Sequence, residues 1–170
     1  MNTTEEQTIP LPASTERDPD GRLVGLSIDS RHGSPAQDGN AWLVAADGSE
    51  HSNRAVAEAV NLARQMKDCA LHLVNVQHWL GKEAAETELR HRGLAATEQA
   101  RSLLDAAGKP WRLHVVMGEA AEGIVALATR LGCHGIIVGS RGLGATENLL
   151  LGSTAQKVIH LSPVPVLVVR

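Results

Sequence analysis

No phenylalanine and no tyrosine occur in these 170 residues, and the aromatic side chains amount to three tryptophans. Any core must therefore be aliphatic. The hydrophobic fraction of 43% is sufficient for one, and its Val, Leu, Ile and Ala content favours parallel strands buried under alanine-rich helices. Cysteine is equally scarce. Cys69 and Cys133 lie far apart and form no CxxC pair, which argues against a disulfide framework or a zinc site. Lys and Arg are not clustered and the net charge is −3, so a nucleic-acid partner is not expected. No apolar run approaches the roughly 18–20 residues of a membrane span. The first residues lack a positive segment followed by an apolar one, so no signal peptide is expected. These absences together predict a cytoplasmic protein.

Two kinds of sequence are present. Residues 1–40 are rich in Thr, Ser, Pro, Asp and Gly, too polar to offset their ordering entropy. They are expected to be a mostly disordered tail, with Leu23–Ile28 as one candidate short strand. Residues 41–170 are punctuated regularly and are expected to form one domain. Strands are predicted at Trp42–Ala46, Ala70–Gln77, Trp111–Met117, Gly135–Val138 and Val164–Val169. Between them, helices are predicted at Ser52–Lys67, at Lys82–Ala107 with a bend or break near Gly93, at Glu119–Leu131 and at Thr154–Leu161. The alternation implies an α/β fold, a single three-layer doubly wound domain with a five-stranded parallel sheet and helices on both faces. In such sheets ligands bind beyond the carboxyl ends of the strands, at the switch point of strand order.

The stretch after the fourth strand reads Gly139-Ser-Arg-Gly142-Leu-Gly-Ala-Thr-Glu-Asn-Leu-Leu-Leu-Gly152-Ser153. Glycines allow sharp turns and close approach to a phosphate, successive backbone N–H groups form an anion nest, and a helix N-terminus follows. Ordinary turns also use glycine, and Ser153 with Gln156 has the spacing of a capping box that needs no ligand. The stretch is not a Walker A loop, for no Gly-Lys-Ser/Thr follows, and it lacks the third glycine of the dinucleotide fingerprint. The histidines are scattered, without metal-ligand spacing or a readable Ser-His-Asp set, so neither a catalytic residue nor a protein-bound metal is predicted.

The spacing G-x-x-G-x9-G-S resembles the ATP-binding signature of the universal stress proteins. The terminal run Val164-Pro165-Val166-Leu167-Val168-Val169 and the first-strand terminus Asp47-Gly48-Ser49-Glu50, with Ser52 beyond it, are similar to that family too. The resemblance covers about residues 41–170. It implies strand order 3-2-1-4-5, with Asp47 and Gly139 facing each other across the crevice. It further implies an ATP site in which Asp47 contacts the adenosine, Ala45 and Ala46 belong to the binding residues, and Val76 lines the adenine pocket. Gly139, Ser140, Arg141, Gly142, Gly152, Ser153, Thr154 and Ala155 would surround ribose and phosphates, with Mg²⁺ carried by the phosphates. Asp47-Gly48 is also a common turn pair. The chain departs from the family at Ala46, where a bulkier residue is expected, and at Asn75, where many members carry His.

Sister enzymes that cleave ATP at the α-phosphate carry a Ser-Gly-Gly-x-Asp-Ser loop where this chain reads Asp47-Gly48-Ser49-Glu50-His51-Ser52. Nucleotide binding is therefore expected, with hydrolysis or self-phosphorylation slow at most, and a regulatory role through an unidentified protein partner. A slow ATPase and a nucleotide-free scaffold are the alternatives. In the implied strand order the cysteines sit at the amino edge of strands two spacings apart. That is about 10 Å, beyond the roughly 7 Å reach of a disulfide. The last strand is an apolar sheet edge, and the family commonly forms homodimers through it. A homodimer through Val164–Val169 is the expectation, unless Pro163 and Pro165 blunt the edge.

Overall fold

Seven strands and five helices make up a computed structural model of the chain, which describes residues 9–37, 40–144 and 150–170. In chain order the elements are β1 (Ser14–Arg17), β2 (Leu23–Asp29), β3 (Asn40–Ala45), α1 (Glu50–Gln65), β4 (Cys69–Gln77) and α2 (Lys82–Ala96). There follow α3 (Glu98–Ala106), β5 (Trp111–Met117), α4 (Ala120–Arg130), β6 (Gly135–Gly139), α5 (Ser153–Leu161) and β7 (Val166–Val169). All strands join one sheet in the order β1-β2-β5-β4-β3-β6-β7.

The five parallel strands β5-β4-β3-β6-β7 have the predicted 3-2-1-4-5 order, with parallel pairing throughout. The expected five-stranded sheet is nevertheless wrong in number, for β1 and β2 add an antiparallel hairpin beside β5. The reading of residues 1–40 as a mostly disordered tail fails over this hairpin. The physical reason is β2, whose Leu23, Leu26 and Ile28 are buried at 5% exposure or less and join the core beneath α2. The candidate strand Leu23–Ile28 is thus real. β1 was illegible because all four of its residues are exposed, so no apolar period marks it; strand pairing and surface side-chain contacts hold it. Residues 1–8 and 38–39 lie outside the described residues.

Alternation along each strand splits the core into two layers. Val44, Leu73, Leu113 and Ile137 face α1, α2 and α3. Leu43, Val74, Ile136 and Val138 face α4 and α5. Alanines at the helix contacts (Ala55, Ala59 and Ala63 in α1, Ala121 and Ala128 in α4) bring the helices close to the sheet. No helix among the described residues is long and apolar enough to cross a membrane.

The long helix predicted over residues 82–107 is broken, but at Thr97 rather than Gly93. Gly93 lies inside α2 because a Cβ there would sit 2.3 Å from the Val115 side chain, so its absence lets α2 settle on β5. Thr97 is fully buried and its hydroxyl donates to the Gly93 carbonyl at 2.7 Å, tightening the end of α2 as the chain turns into α3. Cys69 and Cys133 are both free thiols. Burial raises both thiols above their ordinary range, Cys133 to about 11, so neither is a ready nucleophile.

Candidate ligand pocket at the switch point

Chain order reverses beside β3, where β4 leads one way and β6 the other. Beyond the carboxyl ends of these strands lies a cavity of about 580 Å³. Of the twelve residues predicted for the site, eleven line it: Ala45, Ala46, Asp47, Val76, Gly139, Arg141, Gly142, Gly152, Ser153, Thr154 and Ala155. Ser140 does not. It is 2% exposed and stands behind the pocket wall. Its N–H donates to the Val169 carbonyl at 2.6 Å, and its own carbonyl accepts from Gly152 N–H at 2.7 Å. The first bond ties the start of the glycine loop to β7, and the second joins the two ends of the loop.

Asp47 organises the first wall. One carboxylate oxygen accepts from Ser49 N–H at 2.9 Å, and the other from Leu143 N–H at 3.3 Å. Ser52 Oγ accepts from Asp47 N–H at 3.3 Å. The loop after β6 can lie so close only because Gly142 has no side chain, for a Cβ there would be 2.8 Å from Asp47 Oδ2. Gly139 is similarly packed, with its Cβ position 2.6 Å from the backbone of His51. Two distant motifs therefore meet as the strand order implied.

The second wall is the start of α5. The predicted capping box is not formed. Gly152 is the N-cap, in extended conformation and without a side-chain bond, and Ser153 is the first helical residue. The backbone bond that opens the helix runs from Gln156 N–H to Gly152 O at 3.0 Å. The N–H groups of Ser153, Thr154 and Ala155 find no acceptor among the described residues, as is general for a first helical turn. They face the cavity at the positive end of the helix dipole. Arg141 Nε is buried and has no hydrogen-bond partner among the described residues. The start of α5 thus presents backbone donors at this end. An anionic group fits it, and the close approach of the loop to the first wall depends on Gly139 and Gly142.

The opposite end is apolar below and polar at the rim. Val74, Val76 and Ile124 line it, together with His78, Gly118 and Glu119. Sequence reasoning missed all of these but Val76. The usable signal was positional, since His78 and Gly118 directly follow β4 and β5. Glu119 caps α4 by accepting from Glu122 N–H at 3.1 Å and pairs with Lys157 at 3.4 Å. Those two partners hold its carboxyl below the usual range, the backbone N–H more than the ammonium. Among the described residues no group of three or more His, Cys, Asp or Glu is placed to hold a metal ion.

A doubly wound α/β protein with an anion-suited crevice at its switch point is the class that these elements define. The sequence profile of the universal stress protein family matches residues 42–170. The universal stress protein YxiE of Bacillus subtilis is 32% identical over 151 residues, spanning 77% of this chain and 99% of the relative. The solved structure of the hypothetical protein MJ0577 superposes with a TM-score of 0.68 at 26% identity, covering 76% of this chain and 94% of that one. A universal stress protein solved in complex with cAMP superposes at 0.59, also 26% identical, covering 77% and 96%. The chain belongs to the universal stress protein family.

Proposed function

We propose that this protein is an ATP-binding universal stress protein whose nucleotide state regulates its contact with a partner protein. The observation that carries the reading is the end of the cavity where the first turn of α5, with its free N–H groups, opens beside Arg141 and Gly142. The cAMP complex of a family member supports an adenine nucleotide as the ligand class. The apolar floor of Val74, Val76 and Ile124 suits a flat base. Mg²⁺ would arrive with the phosphates, as hard cations held by phosphate oxygens and water do. Leu143, which lines the cavity, and Leu150, before the start of α5, are 75% and 77% exposed. They make a surface for a partner to read; residues 145–149 between them lie outside the described residues. A homodimer through β7 completes the reading, with Leu167 at that edge 38% exposed.

Thermal denaturation of nucleotide-stripped protein with ATP–Mg²⁺, AMP, cAMP and GTP tests the pocket. At 100 times its Kd a ligand should add about 2.7 kcal/mol to the folded state. Gly142→Val should abolish the response. Ser153→Glu separates binding from folding. A carboxylate in the first turn of α5 should leave the free protein as stable, or more so by about 0.3–1 kcal/mol, while repelling phosphate and removing the ATP response. Stripped, folded wild type that is unmoved by millimolar ATP would leave a nucleotide-free scaffold as the better reading.

A further inference from the structure

The β1–β2 hairpin lies outside the family-matched residues 42–170, yet its turn reaches the same end of the sheet as the cavity. β2 runs antiparallel to β5 with Gly25 opposite Val116, so Leu23 and the preceding turn lie beside the carboxyl end of β5. The turn is braced internally. The Asp18 carboxylate accepts from Arg22 Nε at 2.9 Å, Arg22 N–H at 2.9 Å and Asp20 N–H at 3.1 Å, and Gly21 adopts φ +78°.

From this hairpin three contacts reach the β4–α2 loop and the start of α2. The Arg22 guanidinium lies over the Trp79 ring, 5.1 Å from its centroid. Lys82 Nζ donates to the Asp20 carbonyl at 2.8 Å. Arg17 makes a forked pair with Glu86, and Arg17 Nη1 also donates to the Gly21 carbonyl at 2.8 Å. On the sheet side Leu80 N–H meets Met117 Sδ at 3.3 Å. Trp79 is 59% exposed, too open for its own burial to hold the loop. The hairpin therefore holds the Trp79 part of the loop, while Leu80 is held on the sheet side. His78, next to Trp79, lines the apolar end of the cavity, away from the phosphate-suited end.

We infer that the β1–β2 hairpin is a positioning clamp, and that through Arg22 and Trp79 it sets His78 as a specificity-determining residue for the base of the nucleotide. This rests on the nucleotide reading of the cavity. His78 offers one ring donor and one acceptor when neutral, so its placement discriminates between the polar edges of bases. Arg22 and Trp79 touch no ligand and act only through the loop.

Two measurements on the full chain test this. Amide exchange at residues 78–82, without ligand, should quicken about two- to fivefold in Arg22→Ala and in Trp79→Leu, the factor expected for an exposed cation–π contact. Calorimetric titration of ATP and GTP should show the affinity ratio between them reduced by a similar factor in Arg22→Ala and in His78→Ala. The double variant should go no lower, since both act through one side chain. Unchanged exchange overturns the clamp. Quickened exchange with an unchanged ratio, or additive loss in the double variant, overturns the role of His78. Wild type that binds neither nucleotide takes down the pocket reading and His78's role with it, while the exchange result still decides the clamp.

Discussion

Histidines 72 and 114 were unremarkable in the sequence, one residue among many on each of two strands. The register β4–β5 sets them on one face, His72 opposite Arg112 and Val74 opposite His114, and their rings meet with Nδ1 of His72 3.1 Å from Nε2 of His114. Burial, then the neighbouring Arg112, pushes His72 down to about 4; burial and then His72 itself push His114 to about 3, while Asp29 opposes both shifts. Both rings are thus neutral when folded at pH 6, whereas unfolded imidazoles near 6.5 begin to take up protons. A depressed folded pKa means stability that is present above about pH 6.5 and lost as pH falls toward 4, at up to about 1.4 kcal/mol per pH unit for each group. Melting temperature should fall steadily between pH 7 and pH 4, and more gently in His114→Asn. Equal slopes in the two proteins would mean that the pair does not govern acid stability.

At the scale of elements, α2 shows how a single missing side chain governs packing. Its glycine suggested a break, because propensity counts Gly93 against a helix. Tertiary contact reverses that reading: the glycine is where helix and sheet touch, and the break falls at Thr97, a residue with no breaker reputation. Gly93→Ala improves local propensity by about 0.8–1 kcal/mol yet drives a methyl into Val115. Overpacking costs about 1–3 kcal/mol, so the net change in urea denaturation should be a loss, and Val115→Ala in the same chain should recover part of it. A more stable Gly93→Ala protein would show that α2 can lift from β5 freely. The hairpin carries the same lesson from the other side. β2 was visible through Leu23, Leu26 and Ile28, but its partner β1 owes its form to a ladder that only the folded β2–β5 edge can template.

At the scale of the molecule, the two sheet edges are unequal. β1 ends one side with four exposed polar or charged residues, Ser14-Thr15-Glu16-Arg17, and so discourages pairing. β7 ends the other with Val166-Leu167-Val168-Val169, next to Ile159 and Leu161 of α5, both more than 40% exposed. The proposed homodimer follows from that asymmetry. Light scattering behind size exclusion should give a two-chain mass at tens of micromolar, and Leu167→Lys, which puts a charge on the edge, should give one chain with the same far-ultraviolet circular dichroism. A single-chain mass for wild type would refute pairing through β7. Because Ser140 bonds to the Val169 carbonyl on one side and to Gly152 on the other, the glycine loop and this edge are mechanically joined.

The alternation of aliphatic runs with alanine-rich helical segments determined the parallel α/β core, since burial on both faces demands that pattern and connection chirality leaves few ways to wind it. The glycine spacing from Gly139 to Gly152 likewise marked the loop after β6, because only glycine tolerates approaches such as that of Gly142 to Asp47. Tertiary structure alone decided the rest. It supplied the hydrogen bond from Leu143 to Asp47 that closes the crevice the family resemblance had implied, turned Ser140 from ligand wall to tether, and moved the cap of α5 from Ser153 to Gly152. It also brought His78, Gly118 and Glu119 to the far end of the cavity and folded residues 14–29 onto β5. Such features depend on which strand ends share a sheet edge and which amides find acceptors. Neither quantity is local in sequence, and composition and period carry no record of them.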